Sequence, residues 1–444
     1  MNPYLPAWEY VPDGEPHIFG ERVYVFGSHD RANGFVFCSE DYVCWSASVD
    51  DLTTWRYEGV IYKKTSDPLN KDGRMVLYAP DVIAGADGRY YLYYVLDKAN
   101  VVSVAVCDSP AGEYEFYGYV RYPDGTLLGE KDGDEPQFDP GLLSDNGKIY
   151  LYTGLAVIGD RNRKGAMATV ISSDMLTIEE APVYIVPGGE YGKGTSFEGH
   201  EFFEASSMRK IGEVFYFIYS SVHMKELCYA TSPHPTKDFT FGGVIVNNGC
   251  GNNHGSIIKI KDQWYVFYHR MTNDTWFSRQ GCIERIEITD GKIPQVEMTS
   301  CGASGVLKGS GTFPAYIACR LWNDHSPPKP AKITQDGIAD NADCFIAEIT
   351  DGTTITFKYF RCENIKKIIL TTRAYGRGNF EVRTSLDESP HGSIPIVSAN
   401  IWTDFSSEIT IPNGINAIYL TYKGGGTPSL LSFSLCTQSA QANA

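Results

Sequence analysis

EPHIFGERVYVFGSHD, residues 15–30, is the first of five copies of one phrase. The others are PDVIAGADGRYYLYYV at 80–95, DPGLLSDNGKIYLYTG at 139–154, EASSMRKIGEVFYFIYS at 204–220 and HGSIIKIKDQWYVFYHR at 254–270. Each runs from a polar, usually acidic residue through a few apolar residues and a Gly- or Asp-bearing turn into an aromatic strand. Copies recurring about every 50 to 66 residues, each with room for several short strands, are the signature of β-propeller blades. The expected fold is therefore all-β: a five-bladed β-propeller over residues 1–300. In such a ring the inner strand of every blade faces one channel, so equivalent positions of distant repeats converge. Glu15, Asp139 and Glu204 stand at that place, and three carboxyls gathered together push their pKa values apart.

Past Thr299 the phrase stops. After a Pro- and Lys-bearing stretch, HSPPKPAKITQDG, come short strand-like runs such as FIAEI, TTITFKYF, KIILTTRAY and AIYLTYKG, separated by turn residues. Dense strands without helical periodicity predict a jelly-roll β-sandwich over 301–444, and the small polar tail CTQSAQANA is expected to be disordered.

Composition narrows the function. The chain has 444 residues, with 38 basic against 54 acidic side chains and a net charge of −16, and it carries no Lys/Arg run, so nucleic acid is not an expected partner. No stretch approaches the ~18 apolar residues of a membrane span, and no basic, apolar leader opens the chain. Eleven cysteines scattered without a CxxC pair argue against both a disulfide framework and a zinc site. They predict reduced thiols and a cytoplasmic protein, a chain trimmed of a secretion leader being the alternative.

The three carboxyls suit glycosidic bond hydrolysis, in which a protonated acid serves the leaving oxygen and a carboxylate activates water or attacks. Glu204, among the apolar and small neighbours of FFEASS, suits the acid. Glu15, restrained to an extended conformation by Pro16, is a candidate base, and Asp13, two residues earlier, competes with it. Asp139 could tune or orient the acid. Candidate sugar-binding groups are His29, Asp30, Tyr78, Asp81, Asn252, Asn253, His254 and Arg279, with Trp45, Trp276 and Phe277 as aromatic floor. No cofactor is required by this chemistry. A cation held through water beside His254, such as a structural calcium, is a further option, although no cluster of acidic ligands supports a tight site.

On the opening NP, the acid-Pro start, YAPDV, FDPGLL, FEASS, NHGSI and the late Arg279, in that order, residues 1 to about 300 resemble glycoside hydrolase family 43, five-bladed propellers that include arabinofuranosidases and β-xylosidases. The resemblance implies an inverting mechanism, with Glu204 as general acid, Asp139 as pKa modulator and the first-blade acid as base. It also implies a central role for His254 and a substrate contact for Arg279. The family's base is normally Asp in an Asp-Pro pair, whereas Glu15-Pro16 stands there, leaving Glu15 and Asp13 both open. Residues from about 301 resemble a family 6 carbohydrate-binding module. The expected activity is release of terminal α-L-arabinofuranose or β-D-xylose from hemicellulose-derived oligosaccharide or polysaccharide, against the alternative of a catalytically silent sugar-binding protein.

Overall fold

The structure is a computed structural model that describes residues 1–325 and 331–437. The SPPKP part of the expected linker and the tail from Gln438 lie outside the described residues. The chain is all-β: strands joined by turns and a few single 3-10 turns, with no α-helix among the described residues.

One compact unit comprises residues 10–271 and 276–297. It contains five antiparallel sheets laid down in chain order, over residues 15–62, 81–119, 141–187, 202–247 and 256–286. Four have four strands and the last has three, each strand pairing with its sequence neighbour. Alternation explains why the second strands are so aromatic: both faces of each sheet are covered, so Tyr93 and Tyr152 are fully buried beside Leu92 and Leu151. Cores form between successive sheets. Tyr93, Val104, Leu142 and Leu151 join the second to the third, while Tyr152, Val170, Phe217 and Tyr219 join the third to the fourth.

The first strands of the five sheets meet in cyclic order. His17 Nε2 lies 2.6 Å from Asp81 Oδ1, which ties the first sheet to the second. The other Asp81 oxygen accepts from Leu142 N of the third at 2.7 Å. Gly141 runs so close to the fourth sheet that a Cβ there would sit 2.2 Å from Ser206 O. Ser207 and Ser256 hydroxyls, 2.8 Å apart, join the fourth to the fifth. Packing of Glu15–Phe19 against Ser256–Ile260 closes the circle.

The second unit comprises residues 1–9, 272–275 and 298 onward. It holds two six-stranded sheets around a separate core. Phe433 is its centre, with ring centroids 4.4 Å from Phe357, 5.4 Å from Phe313 and 5.8 Å from Phe360. Fully burying such a side chain stabilises the fold by about 1.5–3 kcal/mol. None of the eleven cysteines is joined in a disulfide.

Candidate active site

Three polar residues occupy one structural position. Asp13, Asp139 and His254 each lie two residues ahead of the first strand of their sheet, which begins at Glu15, Gly141 and Ser256 respectively. Asp13 and Asp139 take left-handed backbone angles there (φ 56° and 42°), turning their side chains away from the strand that follows. They converge at His254, whose Nδ1 is 3.5 Å from Asp139 Oδ2 and 4.0 Å from Asp13 Oδ1.

Glu204 enters by a different route. The ladder of its strand with Val214–Ser221 shifts register on either side of the Glu204–Ser220 pair, and Ala205 is left-handed (φ 72°). This bulge re-aims the chain, and the Ala205 N–H donates to Asp139 Oδ2 at 3.2 Å.

Asp13 is held by cations and donors. Arg279 Nη1 donates to its Oδ1 at 2.8 Å, Ser28 Oγ donates to its Oδ2, and His269 Nδ1 lies 3.5 Å from Oδ1. Arg279 is fixed in turn by Asp30, through Nε at 2.8 Å and Nη2 at 3.1 Å, and its guanidinium stacks 4.8 Å from the Phe37 ring. All of these groups except the partly exposed Phe37 are buried.

The electrostatics separate the carboxyls. Burial would raise the pKa of Asp13, but Arg279, with His269 and His254, outweighs it and holds the group well below the usual carboxylate range. For Glu204, burial and then the Asp13 charge push the pKa up to about 8 against the pull of Arg279. Burial, Glu204 and Asp13 likewise raise Asp139 well above its ordinary value. Burial takes His254 down to about 4, despite Asp13, so its imidazole is neutral near pH 7. An ionised carboxylate beside a protonated one can activate water and protonate a leaving group at the same pH.

Glu15 is elsewhere. As the first residue in its ladder it is paired with Phe26 and buried at the start of the ring of first strands. There it forms an ion pair with Arg209 and accepts from Ser207 Oγ at 3.2 Å. The acid-Pro resemblance between Glu15-Pro16 and Asp139-Pro140 therefore does not reflect strand register: Asp13 is the structural counterpart of Asp139, and Asp81 that of Glu15. Asp81, bonded to His17, Leu142 N and its own strand, belongs to the ring closure.

The remaining candidates separate similarly. Asp30 serves Arg279. Tyr78 is half-buried, 4.9 Å from the Phe138 ring, and its carbonyl accepts from Tyr42. Asn253 is buried, donating to Asn248 Oδ1 at 3.1 Å, and among the described residues its own Oδ1 has no hydrogen-bond partner. Asn252 leaves its Oδ1 similarly unmet. Trp276 is 45% exposed and lies over Gly251, where a Cβ would meet its ring at 2.6 Å. Phe277 packs edge-on against Phe37 at 4.6 Å. His29 Nδ1 is 2.9 Å from Asp41 O, and Trp45 is buried in the third strand of the first sheet, 5.1 Å from Tyr57.

Two carboxyls, of Asp13 and Asp139, face Nδ1 of His254, fewer oxygens than the six to eight that a directly held calcium takes. Asp13 already spends its oxygens on Arg279 and Ser28. Among the described residues, His200–Glu226–Cys228 and Glu15–His17–Asp81 are the triads whose ligand atoms converge, and neither includes His254. Ser28, Phe37 and His269 are the site residues that sequence reasoning did not single out. Ser28 and His269 lie near the ends of the first and fifth repeat copies, in GSHD and YHR.

The chain matches the family model for glycosyl hydrolases family 43 over residues 19–293. A xylosidase/arabinosidase of Thermoclostridium stercorarium is 59% identical to it, over 98% of this chain and 99% of that protein. Another xylosidase/arabinosidase, from Bacteroides ovatus, is 29% identical over 66% of this chain and 97% of its own. Among solved structures, a family 43 β-xylosidase/α-arabinofuranosidase from a compost metagenome, in complex with xylotriose and in calcium-free form, superposes with a TM-score of 0.55 at 26% identity. That match covers 67% of this chain and 97% of the other. A family 43 arabinoxylan arabinofuranohydrolase from Bacillus subtilis shares the fold over 98% of this chain and 97% of its own, with a TM-score of 0.54 at 20% identity.

Proposed function

The chain belongs to glycosyl hydrolase family 43 and is a glycoside hydrolase, and from that premise we propose that it releases a terminal pentose, β-D-xylose or α-L-arabinofuranose, from xylan-derived oligosaccharides with inversion. The observation that carries this reading is one buried cluster in which Arg279 and Ser28 hold Asp13 while the Ala205 N–H beside Glu204 bonds Asp139. Against burial, Arg279 lowers the pKa of the Asp13 carboxyl, and burial raises that of Glu204. In the reaction Asp13 takes a proton from water as it attacks the anomeric carbon. Glu204 gives its proton to the departing glycosidic oxygen. Asp139, its pKa raised by burial and by Glu204, is held by the Ala205 N–H and tunes the acid, and Arg279 and Ser28 fix the base. His254, neutral, stands between Asp13 and Asp139 as a hydrogen-bonding wall of the pocket.

The pentose class is supported by the xylosidase/arabinosidase relatives at 59% and 29% identity. We read the ring of five sheets as a five-bladed β-propeller carrying the catalytic site, and the two-sheet unit as a jelly-roll sandwich of the carbohydrate-binding-module kind. Eleven cysteines kept as thiols favour a reducing compartment, the cytoplasm.

Glu204→Gln tests the assignment. It is expected to abolish release of nitrophenol from p-nitrophenyl β-D-xyloside and α-L-arabinofuranoside while the melting curve is retained, and unchanged turnover would refute it. Proton NMR of the first-formed anomer tests inversion: a β-product from a β-xyloside would count against it.

A further inference from the structure

His269 is fully buried, and each of its ring nitrogens faces an oxygen that can only accept. Nε2 lies 3.2 Å from the Gly251 carbonyl and Nδ1 lies 3.5 Å from Asp13 Oδ1, with no closer partner among the described residues. A neutral imidazole has one N–H, so either tautomer aims one lone pair at an oxygen. Turning the ring over replaces both nitrogens by carbons. The doubly protonated ring presents an N–H to each of these neighbours, and the Asp13 charge offsets the cost of burying it.

We propose that His269 is a positioning residue, held as an imidazolium, that works with Arg279 to aim Asp13 and keep it ionised. The inference rests on the reading of Asp13 as base. The surroundings support it from each side. Arg279 shares Asp13 Oδ1 at 2.8 Å, Ser28 holds the other oxygen, and the neutral His254 faces the same Oδ1 at 4.0 Å. On the strand that bears His269, the flanking Arg270 donates to Gln280 at 2.8 Å and Tyr268 to Glu284 at 3.2 Å. The Cys250 sulfur accepts from Met271 N at 3.2 Å. Asp13 is thus the carboxylate that meets the ring.

Two measurements test this. In the wild type, selective 15N labelling of the nine histidines, with His269→Gln or His269→Asn assigning the resonance, is expected to show both His269 nitrogens protonated at neutral pH. One protonated and one bare nitrogen overturns the proposal. In kinetics, His269→Gln keeps a donor toward Asp13 but removes the charge. The expected result is a kcat lower by on the order of ten- to a hundredfold with KM nearly unchanged, as misplacing a reacting group implies. The acid limb of kcat/KM should also move to higher pH, because Asp13 loses a cationic neighbour. An unmoved limb in a variant that melts like the wild type overturns it as well. Asp13→Asn, assayed beside it, separates the two readings: activity there removes the base assignment, whereas a silent Asp13→Asn with a wild-type-like His269→Gln removes the His269 role alone.

Discussion

Exchanging the charges of Asp13 and Glu15 one at a time separates chemistry from scaffold. Asp13→Asn keeps the shape and the contact to Arg279 but removes the base. Loss of general base catalysis lowers rates by about 10²–10⁴-fold, or roughly 3–5 kcal/mol of transition-state stabilisation. Glu15→Gln instead unpairs Arg209 in the ring of first strands. Breaking a buried ion pair typically costs about 3–5 kcal/mol. Two features reduce that here. Burial raises the pKa of Glu15 more than Arg209 and His17 lower it, so its charge is poorly stabilised. Arg209 also keeps the carbonyls of Met208, Pro16 and Ile257 as acceptors. A cost of about 2 kcal/mol follows, which at roughly 2–4 °C per kcal/mol lowers the melting temperature by about 4–8 °C. Aryl xyloside hydrolysis and differential scanning fluorimetry on both variants give the answer. A Glu15→Gln enzyme that is silent yet melts like the wild type, or an Asp13→Asn enzyme that still turns over, would refute the reasoning.

Three further outcomes follow from the same cluster. The alkaline limb of kcat/KM should fall near pH 8, where Glu204 loses the proton it donates, while the acid limb lies well below the ordinary carboxylate range because Asp13 stays ionised; a profile still rising beyond pH 9 would contradict the acid assignment. Arg279→Lys should cost about 100-fold in kcat, since one ammonium cannot hold Asp30 in a fork and Asp13 at once; steady-state kinetics within a few-fold of wild type would show that the fork is dispensable. Cys38, Cys44, Cys228 and Cys282 are buried, with thiols pushed up by that burial, so Ellman's reagent should reach them only after unfolding.

The repeated phrase carried the all-β class and the convergence of distant repeats, because aromatic alternation and turn residues are local signals that survive in the fold. It also set Asp139, Glu204 and His254 at the heads of copies whose first strands lie together; Arg279 lies outside the copies. Side-chain direction was less legible. Trp45 reads as an aromatic floor in the sequence, yet its position in a third strand buries it against Tyr57. Asp30 reads as a sugar ligand, and its forked bond to Arg279 is a contact across 249 residues that no local pattern announces. His269 was hidden for the opposite reason: it sits within an aromatic strand, where a histidine resembles core.

The choice between Asp13 and Glu15 shows what the missing information was. Two residues apart on a strand means one face, and that rule holds only once the strand has begun. Asp13 lies ahead of the ladder in a left-handed turn, so the two carboxyls part company: one meets Arg279 and the histidines, the other enters the ring. The same division recurs in other sheets. Positions inside the ladder, Glu15, Asp81 and Ser256, bond sheet to sheet, and positions two residues earlier, Asp13, Asp139 and His254, face one another. A residue in the ladder has its backbone fixed by pairing and its side chain enlisted in closing the circle, so it is a poor place for a group that must exchange protons with substrate. The turn ahead of it is anchored by that closure yet free of the ladder, and there acids and a histidine from distant repeats can be set against one another at fixed separation.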